Sequence, residues 1–433
     1  MSDKPRVQRP DRRQTELRAV DLESQLPDDH MARIVWTFVE TLDVSPLEAG
    51  IKSRVGTPGR PTPDRRLYVA LWLYATLDGV GSARELERLC GAHTAYRWLC
   101  GGVPVNYHDL SDFRVEAGAF LDDLLSKSIA VLVQEGMVSL DCLAVDSVRV
   151  RANAGASSFR REATLEDLHK AAQEKVAALR AEFDGDPNAA DKRLKARRTR
   201  AANERAASIA RAKEALDKIG KERAKEAKEQ RRKEPKNKEP RTSTTDADAR
   251  IMKTDGGFKP GYSLQVRTDP TSNLVVGLEA TNRASDRGQL RPAIKDIEQR
   301  YGVKPKRLLA DGGYDGKDDI EHAHGCGVEV FCPLPGSKGK PGDPTPKKGD
   351  GPGAIAWRER MGSKVGIEIY RKRFATERPH AHMRNHGLRQ FCVRGFKKVL
   401  AIAHWHVFAY NFSQIRFLAK KALENAKAQT APA

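Results

Sequence analysis

VSLDCLAVDSVRV, residues 138–150, is the stretch on which the fold turns. The chain before it has helical texture. Here it becomes short, β-branched and alternating, which predicts a strand. Asp146 sits at the end of that strand's apolar run. KRLLADGGYDG (306–316) repeats the pattern, its apolar residues running into Asp311 and a Gly-rich turn. Carboxylates just past the C-terminal ends of buried strands stand where α/β sheets gather their chemistry. The competing reading is that each Asp only caps a turn or helix.

Working outward, residues 1–20 are polar and basic and are expected to be disordered. Helical periodicity follows over 26–43, 67–80, 82–100 and 106–136. Residues 21–136 therefore read as one helical N-terminal domain. After the strand, Leu165, Leu168, Ala172, Val176, Leu179 and Phe183 form a heptad-like seam. Ile209, Leu216 and Ile219 carry the return arm, so 161–241 is predicted to be a helical hairpin insertion ending in a basic linker. Strands resume as a hairpin over 261–269 and 273–281. A helix over 285–302, a strand over 328–335, a helix over 357–378 and a last helix over 396–419 follow. The predicted fold class is α/β, built from 137–160 and 242–420 around the insertion. Low-complexity residues 336–353 and the tail 421–433 are expected to be disordered.

The chain has 433 residues, with 77 Lys and Arg against 58 Asp and Glu, a net charge of +19. A sequence pI near 9.7 calls for a polyanionic partner, nucleic acid by default. No apolar run is long enough to span a membrane, and the N-terminus lacks the apolar core of a signal peptide. Six cysteines scattered at 90, 100, 142, 326, 332 and 392 argue against a disulfide scaffold and for a reducing cytoplasm.

Tyr370, Arg373 and Glu377, spaced +3 and +7, would share one face of a helix. There the Arg could hold phosphate oxygens, the Glu a metal, and the Tyr a positioning hydrogen bond. An ordinary salt-bridged helix face is the alternative. Taken together, Asp146, Asp311 and Glu377 in a strongly basic chain fit a phosphoryl-transfer site. Such a site would hold two Mg²⁺ (or Mn²⁺) ions about 3.5–4 Å apart. The cluster His322, His324, Cys326 and Cys332 lacks the spacing of a structural zinc site. His404 and His406 read as packing residues. Asp286 reads as a helix cap or as an acid behind the metal ligands. Arg60, Arg65 and Arg66, with the basic segments 192–241 and 338–348, are candidates for DNA backbone contact.

The order strand-end Asp, Asp in a D-G-G-Y turn, then Tyr-x2-Arg-x3-Glu resembles the DDE transposases of the broad IS4/IS5 group of insertion sequences. DHMARIVWTFVETLDVS, GTPGRPTPDRRLYVALWLYATLDGVGSARELERLC, YRWLCGG, LSDFR, VDSVRVRANAG and DADARIMKTDGGFKPGYSLQV narrow the resemblance to the IS1182 family, over about residues 22–418. The resemblance implies an RNase H-like catalytic domain, a mixed sheet with flanking helices. Asp146 would lie on its first strand, Asp311 on its fourth and Glu377 on a late helix. It implies that the helical domain binds terminal inverted repeats, and that the chain cleaves double-stranded DNA and joins it to target DNA. A homodimer would form on DNA, at the nucleoid. Tyr370 and Arg373 would contact DNA near the scissile phosphate. Arg384 stands where the family often has Lys, and Pro379 is expected to end or kink the catalytic helix. Two other readings stay open: a non-catalytic DNA-binding protein or decayed transposase, and a stand-alone RNase H-like nuclease.

Overall fold

β1 (Cys142–Arg151) lies at the centre of a six-stranded mixed sheet. The computed structural model describes residues 21–51, 53, 56, 61–184, 189–229, 239–254, 256–336 and 342–430. After β1 come β2 (Arg250–Thr254), β3 (Gly257–Thr268), β4 (Val275–Thr281), β5 (Arg307–Ala310) and β6 (Glu329–Phe331). β3 pairs antiparallel with β1 on one edge, and with both β2 and β4 on the other. β5 and β6 run parallel to β1 on its far side. The sheet is mixed, and leaving out the short β2, Asp311 follows its fourth strand.

The register positions the chemistry. Parallel pairing of β1 with β5 ends at Val145↔Ala310. Asp146 and Asp311 are the next residue on each strand, so the two carboxylates stand side by side where the parallel sheet splits. The strand predicted over 138–150 is β1, which starts at Cys142 and runs through Arg151. Asp146 therefore lies within the strand rather than at its end, because the twelve-residue β3 supplies antiparallel partners as far as Gly261. β2 was not foreseen, being five residues long beside a Gly-rich turn.

The helical unit comprises α1 (Met31–Glu40), α2 (Arg65–Leu77), α3 (Ala83–Ala92), α4 (Thr94–Cys100), α5 (Tyr107–Glu116) and α6 (Gly118–Gln134). α2 is buried nearly all round, and its Trp72 Nε1 donates to the Leu110 carbonyl at 2.9 Å. This core is not closed by its own residues. Trp405, Ala409 and Phe412 of the last helix complete it. The same helix lays Val399, Ile402, Ala403, Val407 and Tyr410 into the sheet's core. A Cβ on Gly118 would meet the Ala401 Cβ at 2.8 Å, so α6 and the last helix touch almost backbone to backbone.

The insertion is α7 (Glu162–Asp184) and α8 (Ala189–Glu229). Its seam is dry only near the sheet, where Leu165 and Ala172 pack on Ile209, Ala212 and Leu216. Val176 and Leu179 are partly open. Beyond β4 lie α9 (Leu290–Tyr301) and α10 (Lys317–Gly325). Residues 342–353 depart from the expected disorder. Asp350 accepts hydrogen bonds from Arg358 Nε (2.7 Å), Lys317 Nζ (2.5 Å) and Lys347 N (2.8 Å). Residues 337–341 lie outside the described residues, as does the expected tail 1–20.

The predicted single helix over 357–378 is broken into pieces. α11 (Pro352–Gly362) stops at Ser363, whose extended backbone and side chain start α12 (Lys364–Arg371) by accepting from Gly366 N at 3.0 Å. A 3-10 segment, Lys372–Thr376, leads into α13 (Glu377–Asn385). α14 (Phe396–Thr430) then runs past 420, correcting the expected disordered tail 421–433. Its final turns are rich in Ala, Lys and Glu, strong helix formers, and Lys420 pairs with Glu424 at 3.9 Å. Residues 431–433 lie outside the described residues. Among the described residues, no helix is long and apolar enough to cross a membrane.

Candidate active site

Asp146 and Asp311 form the centre of the site. The Asp146 Oδ1 accepts from Ser147 N at 2.7 Å. Its Oδ2 accepts from Arg373 at 3.1 Å and from the Thr376 hydroxyl at 3.2 Å. Asp311 Oδ1 accepts from Gly313 N at 2.7 Å, which holds the Asp-Gly-Gly-Tyr turn shut. Burial pushes the carboxyls of Asp146 and Asp311 above the ordinary carboxylate range. For Asp311 the negative charges of Asp146 and Asp286 push the same way, and Arg373 pulls back. Two desolvated carboxylates that repel each other are short of positive charge.

The 3-10 segment explains which side chains reach Asp146. With three residues per turn, positions i and i+3 eclipse, so Arg373 and Thr376 point the same way. The α-helical face predicted for Tyr370, Arg373 and Glu377 is therefore corrected. In a 3-10 turn, Glu377 is rotated roughly 120° from Arg373, and it is exposed. It follows Thr376 directly, so its Cα lies within about 10 Å of the Asp146 carboxylate, given about 3.8 Å between successive Cα atoms. Tyr370 packs against Ala144, Leu309 and Phe331, and the Arg373 guanidinium lies over its ring, 5.9 Å from the centroid. Its burial pushes the phenol pKa up.

Pro379 does not end the helix. It is the third residue of α13, where a backbone N–H would be unpaired in any case. Arg384 therefore stays on the same helix as Glu377. Its charge reaches His380, whose Nδ1 is 4.0 Å from Asp146 Oδ2. Burial is the main cause holding His380 neutral, with a pKa of about 3.

Arg65 and Arg66 lie elsewhere, at the start of α2. Arg65 stacks over Tyr68 and Phe113, at 5.9 and 5.7 Å. Arg66 reaches the Leu42 carbonyl and lies 4.0 Å from Glu48. Arg60 lies outside the described residues. His404 and His406 are buried in α14, as packing residues should be.

A polar group on the sheet supports the site from the side. Asp286 does not cap a helix. Its Oδ1 accepts from Gln265 Nε2 at 3.0 Å and its Oδ2 from Arg149 at 3.2 Å. Gln265 in turn accepts from the Tyr314 hydroxyl at 2.5 Å, tying the turn after Asp311 to β3. Gln265 was legible as the one amide inside the apolar run YSLQV; Thr376 and Arg149 gave no signal in the sequence.

Among the described residues, no group of three or more His, Cys, Asp or Glu converges to hold a metal. The expected meeting of Asp146, Asp311 and Glu377 is thus reduced to the two aspartates. That pair still fits a hard divalent cation, which Mg²⁺ sites commonly hold with one or two carboxylates plus substrate phosphates.

A family model described as the transposase DDE domain matches residues 239–412. A second, described as a transposase domain (DUF772), matches residues 20–116. Asp311, Tyr370, Arg373, Glu377 and Arg384 fall within the first match, and Asp146 falls between the two. No curated protein and no solved structure matches the chain.

Proposed function

The chain belongs to the DDE transposases of insertion sequences, as a member of the IS1182 family, and we propose that it binds its element's terminal inverted repeats, cleaves DNA there and joins the 3′ ends to target DNA. The observation that carries this reading is the meeting of Asp146 and Asp311 at the split in the sheet, with Arg373 on one of them.

Asp146 and Asp311 would hold Mg²⁺ or Mn²⁺, two ions in all, with Glu377 swinging in from the head of α13 to complete one shell. Bound ions would activate the attacking hydroxyl and stabilise the leaving oxygen. Arg373 keeps N–H donors beyond the one on Asp146, and these would clamp a phosphate oxygen. Tyr370 would steady that guanidinium, and Arg384 would contact the DNA backbone farther along α13. The helical unit would take the repeats. Pairing two element ends needs two DNA-bound protomers, hence a homodimer in the complex.

The test is cleavage of a supercoiled plasmid carrying the inverted repeats found beside the reading frame. Asp146→Asn, Asp311→Asn and Glu377→Gln should each lose Mg²⁺-dependent nicking and keep end binding in a gel shift. Chelation should do the same to the wild type. A variant that cuts at the wild-type rate removes its residue from the site. A wild-type protein that binds the repeats but never nicks them would be a DNA-binding protein only.

A further inference from the structure

β1 ends at Arg151↔Gly261, so β2 and β3 run on beyond it as a two-stranded ribbon. Its root is held, with Met252 and Pro260 buried and the Pro260 carbonyl accepting from Ala152 N at 2.9 Å, while the outer pairs Lys253↔Phe258 and Thr254↔Gly257 extend past it. Such a ribbon is marginal alone. Even so, it carries Phe258, 74% exposed and the most exposed large apolar side chain among the described residues, with Ile251 at 41%. Lys253, directly across from Phe258, and Lys259 beside it are also exposed.

Two further observations say what covers this surface. Ile251 lines a cavity of about 460 Å³ at the foot of the insertion, together with five arginines (Arg161, Arg223, Arg241, Arg250 and Arg283). Only two glutamates accompany them, one of which pairs with Arg161. The strip from cavity to tip is therefore strongly basic around an apolar centre. In addition, cross-strand partners share a face, and Asp146 is opposite Val266. Counting back in twos from Val266 passes Leu264 and Tyr262, which are buried, the latter under Phe391 and Phe396, and reaches Phe258 where that face is open again. Eight residues at about 3.3 Å make roughly 26 Å, the rise of about eight base pairs.

We propose that this ribbon and the arginine cavity beside it form a second DNA contact of the catalytic unit. It would grip a duplex about eight base pairs from the scissile phosphate. The lysines and arginines take backbone phosphates, and Phe258 lies against a base or sugar in the groove. The proposal rests on the transposase reading, since it uses the same DNA.

The test measures binding of the full chain to a fluorescently labelled inverted-repeat duplex across a salt series without divalent metal. Phe258→Ala should weaken binding about tenfold with its salt slope unchanged, because an apolar contact in the groove neutralises no phosphate. Lys253→Glu with Lys259→Glu should lower the log–log salt slope by about two. Hydroxyl-radical protection about eight base pairs from the cut should disappear in both variants while that over the repeat remains. Both sites are exposed, so melting temperatures should stay at the wild-type value. The proposal is overturned if both variants bind within twofold of wild type with an unaltered footprint. It is equally overturned if Phe258→Ala changes only the protein's self-association. If the wild type binds but never cuts, the cleavage reading fails and the ribbon contact stands. If it does not bind duplex at all, both fall.

Discussion

Gly313→Ala separates the chemistry of the site from its stability more cleanly than any change to a carboxylate. Gly313 has an ordinary negative φ, so alanine meets no backbone strain there. Replacing Gly by Ala at a compatible position stabilises by about 0.4–1 kcal/mol through the unfolded chain. The new Cβ, however, would lie 2.9 Å from Asp311 Oδ1 and 3.4 Å from Asp286 Oδ2. Asp286 is anchored by Gln265 and Arg149 and yields little. The Asp311 carboxylate must therefore give way by several tenths of an ångström, stretching its 2.7 Å bond to Gly313 N. Misplacing a catalytic group by about 1 Å costs about 10²-fold in rate, so a shift of half that should cost about tenfold. The assay is initial nicking rate on the repeat-bearing plasmid over a Mg²⁺ series, beside a thermal melt. A fall of about tenfold with an unchanged or higher melting temperature is expected. Cleavage at the wild-type rate at every Mg²⁺ concentration would refute the placement of Asp311 at the reacting centre.

Trp405→Ala should cost about 3–5 kcal/mol for the lost ring, plus the penalty of orphaning the Arg114 carbonyl that its Nε1 now bonds at 2.9 Å. Because α14 serves both cores, urea unfolding should shift for the helical unit and the sheet together; a helical unit that melts unchanged would show it stands alone. His404 and His406 are held neutral by burial, His404 at a pKa of about 4 and His406, with Arg114 also opposing its charge, at about 3. An unfolded His protonates near 6.5, so their contribution is complete above that pH and is lost as the pH falls toward 4. Each removes about 1.4 kcal/mol per pH unit in that window. His406→Gln should flatten the acid limb of stability against pH by about one proton, and an unchanged slope would show that this imidazole is already charged in the folded chain.

What was legible in the sequence followed from periodicity and from single chemical contradictions. The alternating runs around Asp146 and Asp311 gave both strands. Their acids marked the candidate site, because a carboxylate after a buried run is costly unless something answers its charge. What was not legible depended on partners distant along the chain. The alternation through Val150 shows a strand but not which residues pair with it past Asp146, because those partners lie on β3, more than a hundred residues later. Nor does α14 announce that Trp405 and Val407, two positions apart, belong to different cores. Glu377 is the instructive case. Its spacing from Arg373 is correct for an α-helix, and the error lay in assuming one. A 3-10 turn of five residues costs little and leaves hydrophobic periodicity almost untouched, yet it changes which residue shares a face with Arg373. It puts Thr376 on Asp146 and turns Glu377 to the open side. In α geometry the offset between Arg373 and Glu377 would be about 40° rather than about 120°, so the winding of Lys372–Thr376 decides which residue joins Arg373 on Asp146.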